Sequence, residues 1–255
     1  ISATAGTQPW SGNGNSGTYT NNTGNNPALD IHWGMEKTHD FYLNIFGRNS
    51  YDGNGSVIKN YVNGSLQIQG TQNNAGALPA PYNIMVYGVG DGQSMGPVVG
   101  LDVEGDECTH MVISNNGNGG LTYAGESGAL NESFADIVGT SVEFYAVGGG
   151  ANWTIGEDIM LQSPYYLRSM SNPNSASQPQ PDTYQGTYWA DPGNVQIDQG
   201  GVHTNSGVQN FWFYLLCQGG SGTNDLGNAY SVSGITMAQA QQIAYRNLTT
   251  YLTPA

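Results

Sequence analysis

Positive charge is scarce in this sequence, whose 255 residues include five Lys and Arg but 19 Asp and Glu, for a formal net charge of −14 at pH 7. Binding to nucleic acid or to an anionic membrane surface requires cations that neutralise phosphates. The composition therefore argues against both kinds of partner. It suits a chain that binds divalent cations such as calcium, which take oxygen ligands.

Long apolar runs are absent as well. No stretch of about 18 apolar residues occurs, so the sequence predicts no membrane-spanning helix. The chain opens with ISATAGTQPW, which lacks the charged start and the apolar centre of a signal peptide. A mature secreted chain whose leader has been removed would look the same, and we expect a secreted protein.

Cysteine occurs only twice, at Cys108 and Cys217. A single disulfide in an exported protein and two buried thiols are both compatible with this pair. The sequence leaves the two alternatives open.

Glycine and tyrosine are abundant, with 38 and 16 residues, and 38% of the chain is apolar. This composition predicts loop-rich structure around a real core, in one large domain or in two lobes that share a cleft. Before Pro97 the patterns are mainly those of strands and loops. They predict loop or short edge strands over 1–30, a helix over 30–47 that ends at Gly47, a hairpin over 56–70 around Asn63-Gly64, and a strand over 81–88.

After Pro97 the apolar residues recur at helical spacing. The segment 164–200 is rich in Pro, Asn, Ser and Gln and is predicted to be an ordered loop. A site is expected in the cleft between the β-rich part and the helical part. Helices are predicted over 98–114, 127–147, 203–218 and 236–251.

The first of these helices carries VEGDECTHM (103–111), which differs by one residue from the helix of a zinc protease. Such a helix reads H-E-x-x-H, and here Asp106 stands in the first position. Asp106 and His110 are four residues apart, so they share a helix face with Glu107 beside them. On its own, an acidic pattern of this kind is more often a solvated helix face.

Two later segments add polar residues of the same kind. The segment NESFAD (131–136) puts Glu132 and Asp136 on one helix face. The segment GGVHTNSG (200–207) places His203 just before an apolar helix. A lone histidine in such a place is usually a cap or a satisfied core residue, so each segment needs support from the others.

That support comes from eight segments whose order and spacing match one family of enzymes. They are SYDGNG (50–55), YGVGDGQ (87–93), GLDVEGDECTH (100–110), YAGESGALNESFADIVGTSVEFYA (123–146), IGED (155–158), LRSMSNP (167–173), GGVHTNSGVQNFWFYLL (200–216) and YRNLTTYLTP (245–254). From about Ala28 to Leu252 the chain resembles the thermolysin-like zinc metalloendopeptidases, peptidase family M4. The resemblance implies a two-lobe α+β fold, with a β-rich lobe and the central helix in 1–114 and a mainly helical lobe in 115–255 that lacks its last helices.

The resemblance places the zinc ligands at Asp106, His110 and Glu132, where the family normally has two histidines and a glutamate. Glu107 matches the general base that activates the zinc-bound water. Asp136 is expected to orient His110 through the other nitrogen of its ring.

Three residues match positions that act on the reacting carbonyl. His203 matches the residue that stabilises the oxyanion of the tetrahedral intermediate, and Asp198 matches its orienting partner. Tyr123 matches a second donor to the oxyanion.

Other matches concern substrate binding. Arg168 matches the arginine that binds a substrate carbonyl. Asn74 and Ala75 match an edge strand that pairs with the substrate backbone. Gly76 and Ala77 follow where the family usually has aromatic residues, which puts these contacts in question.

The resemblance also implies structural calcium beside the active-site helices. Asp102, Glu143 and Glu157 match ligand positions. Asn152 falls near an expected aspartate, and Thr154 falls on an expected acid. One calcium ion is therefore expected, and a paired site is weakened.

Asp106 changes the implied zinc site in two ways. Its side chain is shorter than that of histidine by roughly 1–2 Å, whereas zinc bonds tolerate an error of only ~0.2 Å. It also adds a carboxylate, which lowers the positive charge of the centre and makes its water less acidic. Both effects predict weak or absent zinc binding and impaired hydrolysis of peptide or unfolded protein substrates.

Two other readings stay open. The chain could be a pseudoprotease whose cleft binds peptides or a partner protein without cleaving them. Alternatively, two carboxylates and one imidazole suit a harder ion such as manganese or iron(II). The chain also stops at YLTPA, where the family continues into further helices, so apolar surface on the last helix is either exposed or covered by a partner.

Overall fold

The computed structural model describes residues 2–5, 8–10, 27–62 and 68–254. Its strands in the N-terminal part are β1 (Ser2–Ala5), β2 (Gln8–Trp10), β3 (Lys59–Val62), β4 (Ala75–Leu78) and β5 (Ile84–Tyr87). They form one mixed sheet in the order β2-β1-β3-β5-β4. The three central strands are parallel, and β2 and β4 pair antiparallel at the two edges.

The position of β3 corrects the predicted hairpin over 56–70. β3 lies between β1 and β5, so neither of its edges is open to a hairpin partner. The turn at Asn63-Gly64 lies outside the described residues, as do 11–26 of the predicted N-terminal loop. The strand predicted over 81–88 is present as β5, and a short edge strand is present as β2.

Helix α1 (Pro27–Phe46) packs against the sheet and the central helix. Proline at its first position is favourable because that N–H has no helical partner. The predicted glycine cap is present: Gly47 has a φ of 69°, and its N–H donates to the oxygen of Leu43. The buried face includes Ile31 and Met35.

The central helix α2 (Leu101–Ser114) crosses α3 (Gly125–Val147) at very short range. A Cβ atom on Gly139 would lie 2.3 Å from the backbone oxygen of Asp102, and one on Gly105 would lie 2.8 Å from the Cα of Gly139. Two glycines therefore allow the backbones to touch. All of α2 except His110 and Ser114 is buried, so most of its polar side chains are shielded from bulk solvent.

The rest of the chain is mainly helical. The helix predicted over 203–218 is two helices, α4 (Asp198–Asn205) and α5 (Gly207–Gln218), which meet at Ser206. The one predicted over 236–251 is α6 (Met237–Arg246), followed by a π-helical turn at Asn247–Tyr251. The segment 164–200 is mostly loop, but contributes β7 (Arg168–Ser169), which pairs with β6 (Thr154–Ile155). A hairpin of β8 (Gly220–Thr223) and β9 (Ala229–Val232) was not predicted.

Two hydrophobic clusters stabilise the two parts. The first joins the sheet, α1 and α2, and contains Cys108; the second joins α3, α5 and α6, and contains Cys217. Both cysteines are buried free thiols, so the second of the two alternatives holds. In the described ranges, no helix combines the length and the apolar character that crossing a membrane requires.

Candidate active site

A cleft of about 990 Å³ lies between the two parts. β4 forms one wall, and α2, α3 and the segment around α4 form the others. The cleft brings together most of the residues predicted to act on a substrate or a metal. They are Asn74, Ala75, Asp106, Glu107, His110, Tyr123, Glu132, Arg168 and His203.

The imidazole of His110 lies at the centre of an acidic cluster. Its Nε2 is 3.3 Å from Asp106 Oδ2 and 3.5 Å from Glu132 Oε1. Asp106, Glu107 and His110 each offer a ligand atom, and these atoms lie within 4.8 Å of one another. The helical spacing therefore places the residues as the sequence predicted.

The orientation of this ring follows from Asn131. His110 Nδ1 is 2.7 Å from Asn131 Oδ1, and the amide nitrogen of Asn131 donates to the oxygen of Leu121. Because an amide oxygen only accepts, Nδ1 must carry the hydrogen. The lone pair of Nε2 then faces carboxylates, an arrangement that is stable only with a proton or a cation between them.

The pKa values in the cluster are shifted by the close approach of these charged groups and by their burial. Burial opposes the imidazolium form, yet the carboxylates of Glu132 and Asp106 outweigh burial and raise the pKa of His110. Burial, together with the charge of Asp106, raises the pKa of Glu107 to about 8. Burial also acts on Asp106, but the charge of His110 outweighs it and lowers the pKa of this carboxyl. Without a metal, the cluster retains protons that a cation could replace.

The donor set fits a divalent cation. Asp106 Oδ1 is buried and has no hydrogen-bond partner among the described residues, so it is available as a ligand. Two carboxylates and an imidazole are ligands that zinc accepts. The guanidinium of Arg168 also lies close to Asp106 Oδ1, with its Nη2 3.9 Å away.

The prediction that Asp136 orients His110 is wrong. Asp136 accepts hydrogen bonds from the guanidinium of Arg168, at 2.5–3.1 Å, and from the amide of Asn210, at 2.7 Å. The ring nitrogen assigned to it is taken by Asn131. On α3, Asn131 directly precedes Glu132 and Asp136 follows it by four residues. Helical spacing alone did not distinguish which of the two contacts His110.

The residues predicted to stabilise an oxyanion also meet in the cleft. His203 Nδ1 is 2.5 Å from Asp198 Oδ1, and its Nε2 is 3.4 Å from both Glu132 Oε2 and the Tyr123 hydroxyl. Tyr123 also donates to Glu132. Burial opposes the charged ring of His203, but the carboxylates of Glu132 and Asp198 raise its pKa. The local turn requires Gly200, which has a φ of 90° and lies against Pro192.

β4 borders the cleft at the edge of the sheet. The backbone oxygen of Asn74 accepts from Gly88, and the N–H of Ala75 bonds to the side chain of Asn74. The backbone of Ala77 bonds to Glu107, so this strand also holds the carboxylate in place. Some of the backbone groups that a substrate strand would pair with are therefore already hydrogen-bonded within the protein.

A second acidic cluster lies at the other end of α2. Burial, together with the charge of Glu157, raises the pKa of Asp102 to about 7, and burial with Asp102 raises that of Glu143 to about 9. Asn152 donates to Glu157 at 2.5 Å. The charge of Asp158, a residue that the resemblance did not indicate, also raises the pKa values of Asp102 and Glu143. Glu143 Oε2 is buried without a hydrogen-bond partner in the described ranges, which fits a calcium ligand.

Two potential ligands one helical turn apart, a third on the next helix and a carboxylate beside them form the arrangement of a zinc metallopeptidase. The family comparisons agree. Residues 3–114 match the model "Thermolysin metallopeptidase, catalytic domain", and residues 119–255 match "Thermolysin metallopeptidase, alpha-helical domain". The chain belongs to the thermolysin metallopeptidase family.

Curated relatives match along most of this chain. It is 40% identical over 230 residues to bacillolysin from Brevibacillus brevis, and 41% identical over 230 residues to thermolysin from Alicyclobacillus acidocaldarius. Each match covers 89% of this chain and 38% of the relative. Neutral protease NprE from Bacillus pumilus is 39% identical over 229 residues, which are 89% of this chain and 65% of that protein. The chain thus spans well under half the length of the first two relatives.

A solved structure extends the likeness to the whole fold. The precursor of protealysin, a metalloproteinase from Serratia proteamaculans, superposes with a TM-score of 0.74 at 26% identity. The match covers 99% of this chain and 75% of that one. The predicted α+β, thermolysin-like fold is therefore confirmed.

Proposed function

We propose that this chain is a metalloendopeptidase domain that hydrolyses peptide bonds in peptides or unfolded proteins, with a metal site weakened by Asp106. The observation that carries the proposal is the lone pair of His110 Nε2, which faces the carboxylates of Asp106 and Glu132 in a substrate-sized cleft. Zinc bound there would polarise the substrate carbonyl and acidify a water molecule.

The protein groups around the cleft suit the rest of the reaction. Glu107 would accept a proton from the attacking water and return it to the leaving amine, and its raised pKa suits a group that exchanges protons near neutral pH. His203 and Tyr123 would donate to the oxygen that becomes negatively charged. Arg168, held by Asp136, would bind a substrate carbonyl.

A second reason, besides the short side chain of Asp106, supports a weakened metal site. The free oxygen of this residue lies 3.9 Å from Arg168, whose positive charge competes with a metal for the carboxylate. Replacing a histidine by a carboxylate makes the donor set richer in oxygen. Such a set suits a harder ion, such as manganese or iron(II), better than a site with two histidines would.

A non-catalytic peptide-binding role is the second candidate. It is favoured by the contact between Asp106 and Arg168, because this pair partly satisfies the cluster without a metal. The part of the β4 edge that is not bonded to Asn74 or Glu107 would then be available to a peptide. We further propose that the protein is secreted and that its lobes divide at 114/115. That a partner covers the last helix stays a prediction.

The chain itself provides the direct test. We expect zinc to bind, measured by metal analysis after dialysis against buffered zinc, and an unstructured protein to be cleaved slowly. Cleavage should stop when a zinc chelator is added and return when zinc is restored. Zinc uptake without cleavage would favour the peptide-binding role, and absence of both would contradict the proposed site.

Calcium is proposed at Asp102, Glu143, Glu157 and Asn152, and its removal should destabilise the protein. Calcium at about 100 times its Kd contributes about 2.7 kcal/mol, which corresponds to a rise in Tm of about 5–10 °C in a chain of this size. Thermal unfolding with and without a calcium chelator would measure this change. An unchanged Tm at millimolar calcium would contradict the assignment.

The calcium effect should increase with pH. The folded-state pKa values of Asp102 and Glu143 are about 7 and about 9, above the ordinary values near 4 of the unfolded chain. These two carboxyls therefore contribute stability to the calcium-free protein at low pH, and that contribution is lost as pH rises towards 9. Tm of the calcium-free protein should fall between pH 5 and 9, and calcium should restore more of it at the higher pH.

A further inference from the structure

Gln180 lies in the segment between β7 and α4, and only 2% of it is exposed. Its Nε2 donates to the backbone oxygen of His203 at 2.6 Å and to Ser206 Oγ at 3.1 Å. Ser206 Oγ donates to the same oxygen of His203 at 2.9 Å. Two side chains therefore hold the backbone of His203 near the break between α4 and α5.

The orientation of the Gln180 amide is fixed by its partners. A backbone oxygen only accepts, so the NH₂ group must face His203. The Oε1 atom is then buried without a hydrogen-bond partner in the described part of the chain. An unpaired buried acceptor destabilises a fold, and an apolar side chain of the same size would avoid that cost. What glutamine contributes here is the donor contact to His203.

Close packing fixes the position of this amide. A Cβ atom on Gly207 would lie 2.6 Å from the Cβ of Gln180 and 2.8 Å from the oxygen of Pro181. The loop thus crosses directly over the first residue of α5. The N–H of Gln180 donates to the oxygen of Pro173 at 3.1 Å, so its own backbone is anchored as well.

The ring of His203 is held at one end only. Asp198 binds Nδ1, while Nε2 makes two longer contacts of 3.4 Å, to Glu132 and to Tyr123. We propose that Gln180 is a positioning residue, which fixes the height of the His203 imidazole in the cleft by holding the carbonyl of the same residue. The inference rests on the proposed oxyanion role of His203, and a displacement of about 1 Å in such a group lowers turnover by up to about 100-fold.

The test compares Gln180→Met, which keeps the packing but removes the donor, with Gln242→Met as an exposed control for the loss of a bond from an amide to a backbone oxygen. Gln242 also donates from its amide to a backbone oxygen, that of Ile45, but it does not line the cleft. Ser206→Ala removes the second donor to His203 and serves if Gln180→Met does not fold. The chain has four histidines, so the ring signals of His203 can be resolved by NMR. Turnover is measured in the Asp106→His background.

We expect Gln180→Met to shift the His203 ring signals and to lower kcat about 10-fold with KM changed less than twofold. Ser206→Ala should act in the same direction, and Gln242→Met should change neither quantity. Unmoved ring signals in a folded Gln180→Met or Ser206→Ala variant would overturn the proposal, as would an unchanged kcat. If the Asp106→His protein cleaves nothing, the proposed function fails, and the ring signals alone decide the role of Gln180.

Discussion

Replacing Asp106 by histidine is expected to raise zinc affinity by on the order of 100-fold or more and to increase proteolysis in parallel. An imidazole reaches farther than a carboxylate, so the metal can lie within bonding distance of His110 and Glu132 at the same time. The substitution also removes a negative charge, which makes the bound water more acidic. Competition with a zinc-binding dye and cleavage of an unfolded protein measure the two effects.

Asp106→Asn is the matched control for this prediction. It removes the same negative charge and keeps the length of the side chain, but supplies no imidazole nitrogen. We expect it to bind zinc no better than the original chain, which would assign the gain to the reach of histidine. If Asp106→His fails to gain zinc affinity, the single-residue explanation of the weakened site is wrong. If it gains zinc but not proteolysis, the cleft serves for binding.

In the Asp106→His background, Glu107→Gln is expected to lower kcat by about 10²–10⁴-fold while zinc affinity is maintained. The amide cannot accept the proton of the attacking water. The protein should remain folded, because glutamine has nearly the size of glutamate and burial already disfavours the charged form of this side chain. Steady-state kinetics, zinc competition and thermal unfolding would be measured on the same samples.

Glu104 offers the control for a buried acid on the same helix. It faces α1, where a Cβ atom on Gly34 would lie 1.5 Å from Glu104 Oε2, and it does not line the cleft. Glu104→Gln should therefore leave kcat within about twofold of the parent, as expected of a substitution away from the reacting groups. Equal losses in Glu104→Gln and Glu107→Gln would mean that both act through the fold, and Glu107 would no longer be the base.

The sequence predicted the face of α2 that carries Asp106, Glu107 and His110, because i,i+4 spacing on a helix leaves little freedom. It did not predict which residue near Glu132 orients His110. Asn131 contacts His110, whereas Asp136 contacts Arg168 and Asn210, and these contacts depend on how α3 packs against other elements.

Contacts between distant segments were harder still. The register of β3 depends on β1 and β5, and the contact of Gln180 with His203 spans 23 residues of chain without regular periodicity. Local pattern contains no information about either pairing. The resemblance supplied candidate site positions that periodicity could not, and its prediction for Asp136 was wrong because this chain arranges its hydrogen bonds differently.

We expect the glycine crossing of α2 and α3 to couple cation binding in the two acidic clusters. Asp102 and Asp106 stand one turn apart on α2, and their partners on α3, Glu143 and Glu132, lie on either side of Gly139. A cation bound in one cluster would fix the relative position of α2 and α3, and the ligands of the other cation lie on the same two helices. Linkage then requires reciprocity: if calcium raises the affinity for zinc by some factor, zinc raises the affinity for calcium by that same factor. Calcium titrations with and without zinc would measure this factor, and a value of one would show that the crossing is too rigid for either ion to change.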